Sequence, residues 1–387
     1  MNELDRALIS ELLRFDEMIN CEGLVRLAAR LYDKESGGFY YSVSAMENEG
    51  FYPDIESTAQ MLVTLTSLGL FKYSERGSER LPSAFADKLV AFFKDRQDEE
   101  SGFFFDKQFG KNVTESKKGR NTGQSIGRLK EMGESAKYLL PFEREVTKEK
   151  PKEALAPHFA SLESYKAWLD AFDWESEEGH KQYYAGNMLS ASKTSIEAAG
   201  LLDFTREYVT ARQNPESGMW GKYKNSNAMN AAMKISHLYD SEHKYPRVEK
   251  MIGSILDIVK AEEPYSIATL WNPLVLVRNI LSDYGEMSEE LKEKINEIKL
   301  PLIRLTIDRC ERFKKPDGGC SYYPELSSKT SQGVVVSLGL CESDVNATML
   351  GTASMRDTMF SIVRLGEHKP LLKDYNKLFF DLIMDKM

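Results

Sequence analysis

Apolar residues recur along much of this chain at the spacing of one helical face. Leu24, Leu27, Ala28 and Leu31 fall at i, i+3, i+4 and i+7, and Phe85, Leu89, Phe92 and Phe93 at i, i+4, i+7 and i+8. Both patterns predict amphipathic helices with one buried stripe. Val248, Ile252, Ile255, Leu256 and Val259 repeat the idea, as do Ile303, Ile307 and Cys310. A glycine stops each of these helices, because it takes a left-handed backbone at little cost. A second helix then begins behind a polar cap, read at Glu56-Ser57-Thr58, Asn121-Thr122, Asn187, Asn225-Ser226-Asn227, Tyr265-Ser266 and Ser343-Asp344. Ser, Thr, Asn and Asp serve there because their side chains accept the first free backbone N–H groups.

The phrase between the two helices is itself repeated. It reads DKESGGFYY at 33–41, DEESGFFF at 98–105, NPESGMW at 214–220 and PDGGCSYY at 316–323, with a worn copy from Glu175 to Tyr184. Gly38, Gly102, Gly218 and Gly319 mark separations of 64, 116 and 101 residues. The last two are near twice a period of about 50 to 60, which fits an array of helical hairpins. The second helices (186–199, 228–235 and 347–361) are rich in Ala, Gly, Ser, Thr and Met, as a crowded inner ring requires. The leading helices carry Lys, Glu and Arg on one face, as an outer ring requires. The pattern therefore predicts an all-α fold: a single (α/α)6 toroid of about six helical hairpins over residues 1–387. Residues 110–120 and 143–157 are Lys/Glu-rich and read as mobile loops, and 371–387 as an extra capping helix.

The segment KPDGGCSYYP at 315–324, followed by ESDVNAT at 342–348, resembles the repeat of the terpenoid cyclase and protein prenyltransferase β-subunit toroids. PDIESTAQMLVTLTSLG at 53–69 is similar to it too. That resemblance runs through most of the chain and implies the toroid. Class II cyclases of the family start cyclisation with a protonated acid in a DxDDT-type motif. Asp54-Ile-Glu56-Ser57-Thr58 keeps acids at its first and third positions, while Asp344-Val-Asn346-Ala347-Thr348 keeps only the first. The alternative role for these acids is to cap a helix N-terminus, facing its dipole. The prenyltransferases hold zinc through Asp, Cys and His; Cys341, Asp344 and His368 are the residues here that could be compared, without a second motif to join them. No metal or other cofactor is therefore expected.

In a ring of this kind the inner helices enter a central funnel at their N-terminal ends. The residues placed there are Tyr52, Gln124, Arg128, Trp220, Asn227, Trp271, Asn272, Tyr322, Tyr323, Asn346 and Arg356. Amides and carboxylates read hydroxyls and flat rings stack on sugar faces, so this rim fits a polar, saccharide-like small molecule or oligosaccharide better than an isoprenoid. Asp54, Glu56 and Asp344 are the candidate catalytic carboxylates: a glycan hydrolase would use one as acid and one as base or nucleophile. A lyase would instead draw on Tyr322, Tyr323, Asn346 and Arg356. A terpenoid cyclase-like or prenyl-binding protein and a non-catalytic binding or scaffold toroid stand as the alternatives.

Charge narrows the partners. Lys plus Arg is 51 and Asp plus Glu is 60, a net charge of −9, and no strong basic tract is present, so nucleic acid is not an expected partner. The basic clusters at 117–120 and 148–152 read as solvated loops. The N-terminus lacks the basic-then-apolar order of a signal peptide, and no apolar run approaches the ~20 residues that span a bilayer. Cys21, Cys310, Cys320 and Cys341 form no CxxC pair and lie in or beside apolar segments, which predicts reduced, mostly buried thiols in a cytoplasmic protein. Nothing in the sequence indicates an oligomeric state.

Overall fold

In the computed structural model the apolar stripes become helices packed on helices. The structure describes residues 2–69, 82–141, 143, 157–176, 180–283, 286–364 and 372–384. In chain order the helices are α1 (Glu3–Ile19), α2 (Glu22–Leu31), α3 (Val43–Glu47), α4 (Ile55–Ser67), α5 (Ser83–Lys94), α6 (Glu115–Glu131), α7 (Leu162–Asp170), α8 (His180–Ala191) and α9 (Lys193–Ala198). They continue as α10 (Leu202–Thr210), α11 (Ser226–Ile235), α12 (Val248–Ala261), α13 (Ile267–Asp283), α14 (Glu289–Cys310), α15 (Val345–Met349), α16 (Met355–Val363) and α17 (Asn376–Met384). A π-helical turn, Leu350–Ser354, joins α15 to α16 without a break. The one strand pair among the described residues is β1 (Thr330–Ser331) with β2 (Val334–Val335), antiparallel. The protein is thus all-α, and no described helix is long and apolar enough to cross a membrane.

The repeated phrase folds the same way in its full copies. Asp33, Asp98 and Asn214 each accept, through a side-chain oxygen, the N–H of the serine three residues on. Gly37, Gly102, Gly218 and Gly318 then adopt φ of 79°, 76°, 70° and 91°, a region closed to most other residues. Behind the turn, the backbone N–H of Phe39, Phe104 and Cys320 donates to the hydroxyl of Thr58, Thr122 and Thr348. One threonine in each of α4, α6 and α15 therefore ties that helix to the turn before it, while α11, behind the Gly218 turn, has none. These threonines set a common register for α4, α6 and α15.

Packing follows from that register. α4 lies against α6 on one side and α15 on the other; α8, α11, α13 and α16 form a second continuous run of neighbours. α12, α14 and α1 pack in turn along the periphery, and α17 sits on α2. Burial is heavy in α4, at nearly every position from Ile55 to Leu65, and in α11, whereas α6 and α8 bury a minority of their residues. No extensive packing joins α6 to α8 among the described residues. Gly119, Gly123 and Gly127 give one face of α6 no side chains, and a Cβ at any of them would meet open space.

The two ends of the chain meet. Ser42 forms a β-bridge with Asp344, and the Val345 N–H donates to the Tyr41 carbonyl at 2.9 Å. Glu342 accepts from the Ser42 hydroxyl at 2.9 Å and from the Ser44 N–H at 2.7 Å. Arg356 holds Asp16 through two hydrogen bonds of 2.6 and 2.9 Å, which pins α1 to α16 inside the core.

Some expected boundaries moved. α6 begins at Glu115 behind a Thr114 cap, so the basic run to Arg120 is helix and not loop. α8 begins at His180, seven residues ahead of the cap read at Asn187. Asn225 and Asp344 do cap α11 and α15. α17 occupies the described part of the C-terminal tail. Most of 143–157 and the basic cluster at 148–152 lie outside the described residues. Cys310 and Cys320 are buried and Cys21 half-buried, whereas Cys341 is exposed.

Candidate functional site

The threonine register defines which side chains of α4, α6 and α15 share one face. The residue two before each threonine is Glu56 on α4, Arg120 on α6 and Asn346 on α15. Helical spacing puts Gln60 and Gln124, four residues on, along the same face. These residues do meet. The Arg120 Nε donates to Glu56 Oε1 at 2.5 Å, and the Gln60 amide donates to Glu56 Oε1 at 3.3 Å and to Asn346 Oδ1 at 3.0 Å. Lys117 reaches Glu56 Oε2 at 3.0 Å from one turn before Arg120, and the Ser331 hydroxyl donates to the same oxygen at 3.0 Å.

Behind this face lies a buried charge cluster. Lys117 is fully buried, and Asp54, Glu56 and Asp106 are each 2% exposed. Arg96 adds a contact of 3.4 Å to Asp106. Burial alone would raise the Glu56 carboxyl, but Arg120 and Lys117 outweigh it and hold the group below its ordinary value. For Lys117 burial works downward, while Asp54, Glu56 and Asp106 together lift it above the usual lysine value. Burial raises Asp54. Asp106 is pushed up to about 7 by burial and then by the charge of Asp54.

Asp106 makes a pH-dependent contribution whose sign is fixed by that shift. An unfolded aspartate titrates near ~3.9, so between that value and about 7 the native state holds a proton that the unfolded state has lost. The stabilisation this provides is present at low pH and disappears as pH rises through the window. Asp106→Asn removes the effect: its amide oxygen still accepts the Ile55 N–H, and once the Asn121 amide, which now donates to Asp106, turns over, the new NH2 can donate to Asn121 Oδ1. Urea unfolding at pH 5 and pH 7.5 is expected to show wild type losing on the order of 3 kcal/mol more than the variant across that interval. Equal losses in the two proteins would contradict the protonated state.

The other two candidate carboxylates are helix caps. Asp54 accepts the Ser57 N–H and hydroxyl at 2.9 and 2.6 Å. Asp344, fully buried, accepts the Ala347 N–H on one oxygen and those of Tyr322 and Ser328 on the other, at 2.7, 2.9 and 3.2 Å. Burial pushes it up to about 6. Both occupy the same register position, four residues before the latching threonine, and both spend oxygens on backbone N–H groups, Asp54 adding the Ser57 hydroxyl. Glu56 alone of the three turns its carboxylate to side chains of α6.

The remaining predicted residues separate. Asn346 and Gln124 belong to the shared face, and Asn227 lies two residues past the Asn225 cap of α11, the position matching Glu56. Tyr322 and Tyr323 stack edge to face at 5.1 Å, and Tyr323 is 41% exposed. Tyr52 sits elsewhere, on an outer cleft of about 660 Å³ shared with Tyr40, Phe92 and Arg96. Trp220 is a core residue, its indole donating to the Val209 carbonyl at 2.7 Å, and Arg356 is spent on Asp16. Trp271 donates to Thr358, Asn272 to Asn230, and Arg128 pairs with Glu131.

Lys117, Arg120, Gln60, Asp106, Tyr183, Tyr265 and Lys234 were not anticipated. The signal for Arg120 was present: Glu56-Ser-Thr58, Arg120-Asn-Thr122 and Asn346-Ala-Thr348 align on threonine. The 117–120 cluster, expected in solvent, instead brings Lys117 into the interior, because α6 starts early enough to turn that residue toward Glu56. A further cover comes from the β1–β2 hairpin. Its turn residue Gln332 receives hydrogen bonds from Thr114 and Ser116 of the α6 N-terminus, so the hairpin bridges α6 and shields Glu56.

Electrostatic neighbours extend the shared face toward open space. Tyr183 on α8 lies within the field of Arg120, and Tyr183, Tyr265, Tyr322 and Tyr323 act on one another. Tyr265 is 55% exposed, and Arg120 keeps 39% of its side chain accessible. Burial pushes Tyr322 up to about 12 and raises Tyr183 and Tyr265 as well, so the phenols are neutral hydrogen-bonding groups near pH 7. Among the described residues no group of three His, Cys, Asp or Glu side chains is placed to hold a metal; His368 lies outside them. Comparison with protein-family models, with curated proteins and with solved structures returns no match.

Proposed function

We propose that the chain is a single toroid of about six helical hairpins whose central face binds a polar, saccharide-like ligand. The two runs of neighbouring helices, joined where α15 continues through the π-helical turn into α16, support the ring. The observation that carries the ligand class is the Gln60 carbonyl. Gln60 is 1% exposed, its NH2 is engaged by Glu56 and Asn346, and its Oε1 has no partner. Gln124 Oε1 is also buried without a partner. A buried unpaired acceptor costs about 1–3 kcal/mol, a penalty that a ligand hydroxyl would relieve. The tyrosines at the edge offer flat faces and neutral hydroxyls of the kind that stack against sugar rings. An isoprenoid would leave these acceptors unsatisfied.

Thermal-shift titration of the purified chain with neutral and acidic oligosaccharides, beside isoprenoid diphosphates, tests this reading. A ligand selective for the native state raises the melting temperature as RT ln(1 + [L]/Kd), so millimolar ligand of micromolar affinity is visible. Saccharides are expected to shift wild type and to shift Gln60→Leu less. A response to isoprenoid diphosphates alone would overturn the proposal in favour of a prenyl-binding protein.

A further inference from the structure

Resting on that reading, one cation on the central face narrows the ligand. Lys234 stands seven residues after Asn227 on α11, which is two helical turns along the same face. It is half-buried, and among the described residues it makes neither an ion pair nor a hydrogen bond. Its stem is enclosed because α8 approaches closely: a Cβ at Gly186 would lie 3.0 Å from the Lys234 Cβ. The charged group whose field it feels is another cation, Arg120. Arg120 in turn spends its Nε on Glu56 and keeps part of its guanidinium accessible.

Among the described residues Lys234 thus has a cation and no anion as its charged neighbour, an unfavourable arrangement unless something else supplies the charge. The carboxylate that Arg120 meets, Glu56, is already shared with Lys117 and Ser331. Burial and Arg120 together hold the Lys234 ammonium below its ordinary value, in line with a charge lacking its counterpart. Close by on α6, one turn from Arg120, is the unpartnered carbonyl of Gln124. Cations for an anionic group and acceptors for hydroxyls thus occur on one surface.

We propose that Arg120 and Lys234 form an anion subsite of the central face, so that the ligand is an acidic saccharide carrying a carboxylate or a phosphate. Arg120 offers a planar donor pair and Lys234 a half-buried point charge, and hydrogen bonds from such charged donors to an anion are the strong ones.

Isothermal titration of the full chain separates the outcomes. The probes are a galacturonate oligomer, the neutral galactose oligomer of equal length, a hexose phosphate and inorganic phosphate, each against wild type, Lys234→Met and Lys234→Arg. Wild type is expected to bind an acidic saccharide at least about tenfold more tightly than the neutral one, the uronate and the phosphate probe telling the two anions apart. Lys234→Met should abolish that preference and Lys234→Arg keep it. Because an unpaired, half-buried charge is removed, the melting temperature of Lys234→Met is not expected to fall. Equal binding of neutral and acidic oligomers by wild type, or an unchanged preference in Lys234→Met, overturns the subsite and leaves the saccharide reading standing. Phosphate binding that is lost in Lys234→Met while no saccharide binds upholds the subsite and removes the saccharide reading. Silence toward every probe overturns both.

Discussion

Replacing Lys117 with methionine is expected to lower the unfolding free energy by about 3–5 kcal/mol, the usual cost of stranding one partner of a buried ion pair. Lys117 is fully buried and donates to Glu56 at 3.0 Å, and its charge also acts on Asp54 and Asp106. Methionine fills the space of the aliphatic stem, so the loss is electrostatic and not a cavity effect. Three buried carboxyls then share Arg96 and Arg120 alone, and proton uptake by Asp54 and Asp106 is the least costly response. The double variant Lys117→Met/Glu56→Gln is expected to recover part of the loss, since it removes the stranded charge with its partner. Chemical denaturation at pH 7 measures both. A single-variant cost under about 1 kcal/mol would show that solvent reaches the cluster and screens it.

Asp344→Ala is expected to cost about 2–4 kcal/mol at neutral pH. It deletes an N-cap, worth about 1 kcal/mol, and strands the buried N–H groups of Tyr322 and Ser328, at about 1–3 kcal/mol each, against which the relief of a desolvated carboxylate counts. The pH dependence identifies the cause. The folded value of about 6 lies above the ordinary aspartate value, so wild type carries a stabilising proton at low pH and loses it as pH rises through 6. The gap between wild type and variant should therefore widen from pH 7 to pH 5, as measured by urea midpoints. A folded Asp344→Ala protein of unchanged stability would return this residue to the list of candidate catalytic acids.

The second effect concerns a residue that a motif-based reading would place in catalysis. The resemblance of Asp54-Ile-Glu56-Ser57-Thr58 and Asp344-Val-Asn346-Ala347-Thr348 to an acidic cyclase motif is explained at its first position by capping and at its last by the latch to the preceding turn. The third position has no such duty. Glu56, Arg120 and Asn346 differ in chemistry while sharing a place in the repeat, which is how a site is built on a repeated frame.

The amino-acid pattern by itself determined the helical class, the alternation of leading and following helices and the caps at Asn225 and Asp344, while the glycines it read as helix stops instead turn the loops after helices that end at Leu31, Lys94, Thr210 and Cys310. These depend on local physics: apolar periodicity, the positive φ of glycine, and short polar side chains beside free N–H groups. It could not place Trp220 in the core or Tyr52 on an outer cleft, because both lie in loops whose direction is set by distant packing. It misjudged Lys117 for a similar reason. A basic run of four residues looks solvated until its helix start is known, and α6 opens at Thr114, whose cap bonds with the Lys117 N–H. Only the tertiary structure brought α4, α6 and α15 together, so only it could show Lys117 against Glu56, Gln60 between Glu56 and Asn346, and Arg120 opposite Lys234. Those pairings join residues 61, 286 and 114 positions apart in the chain, and their energies come from burial and mutual charge, which no local sequence window contains.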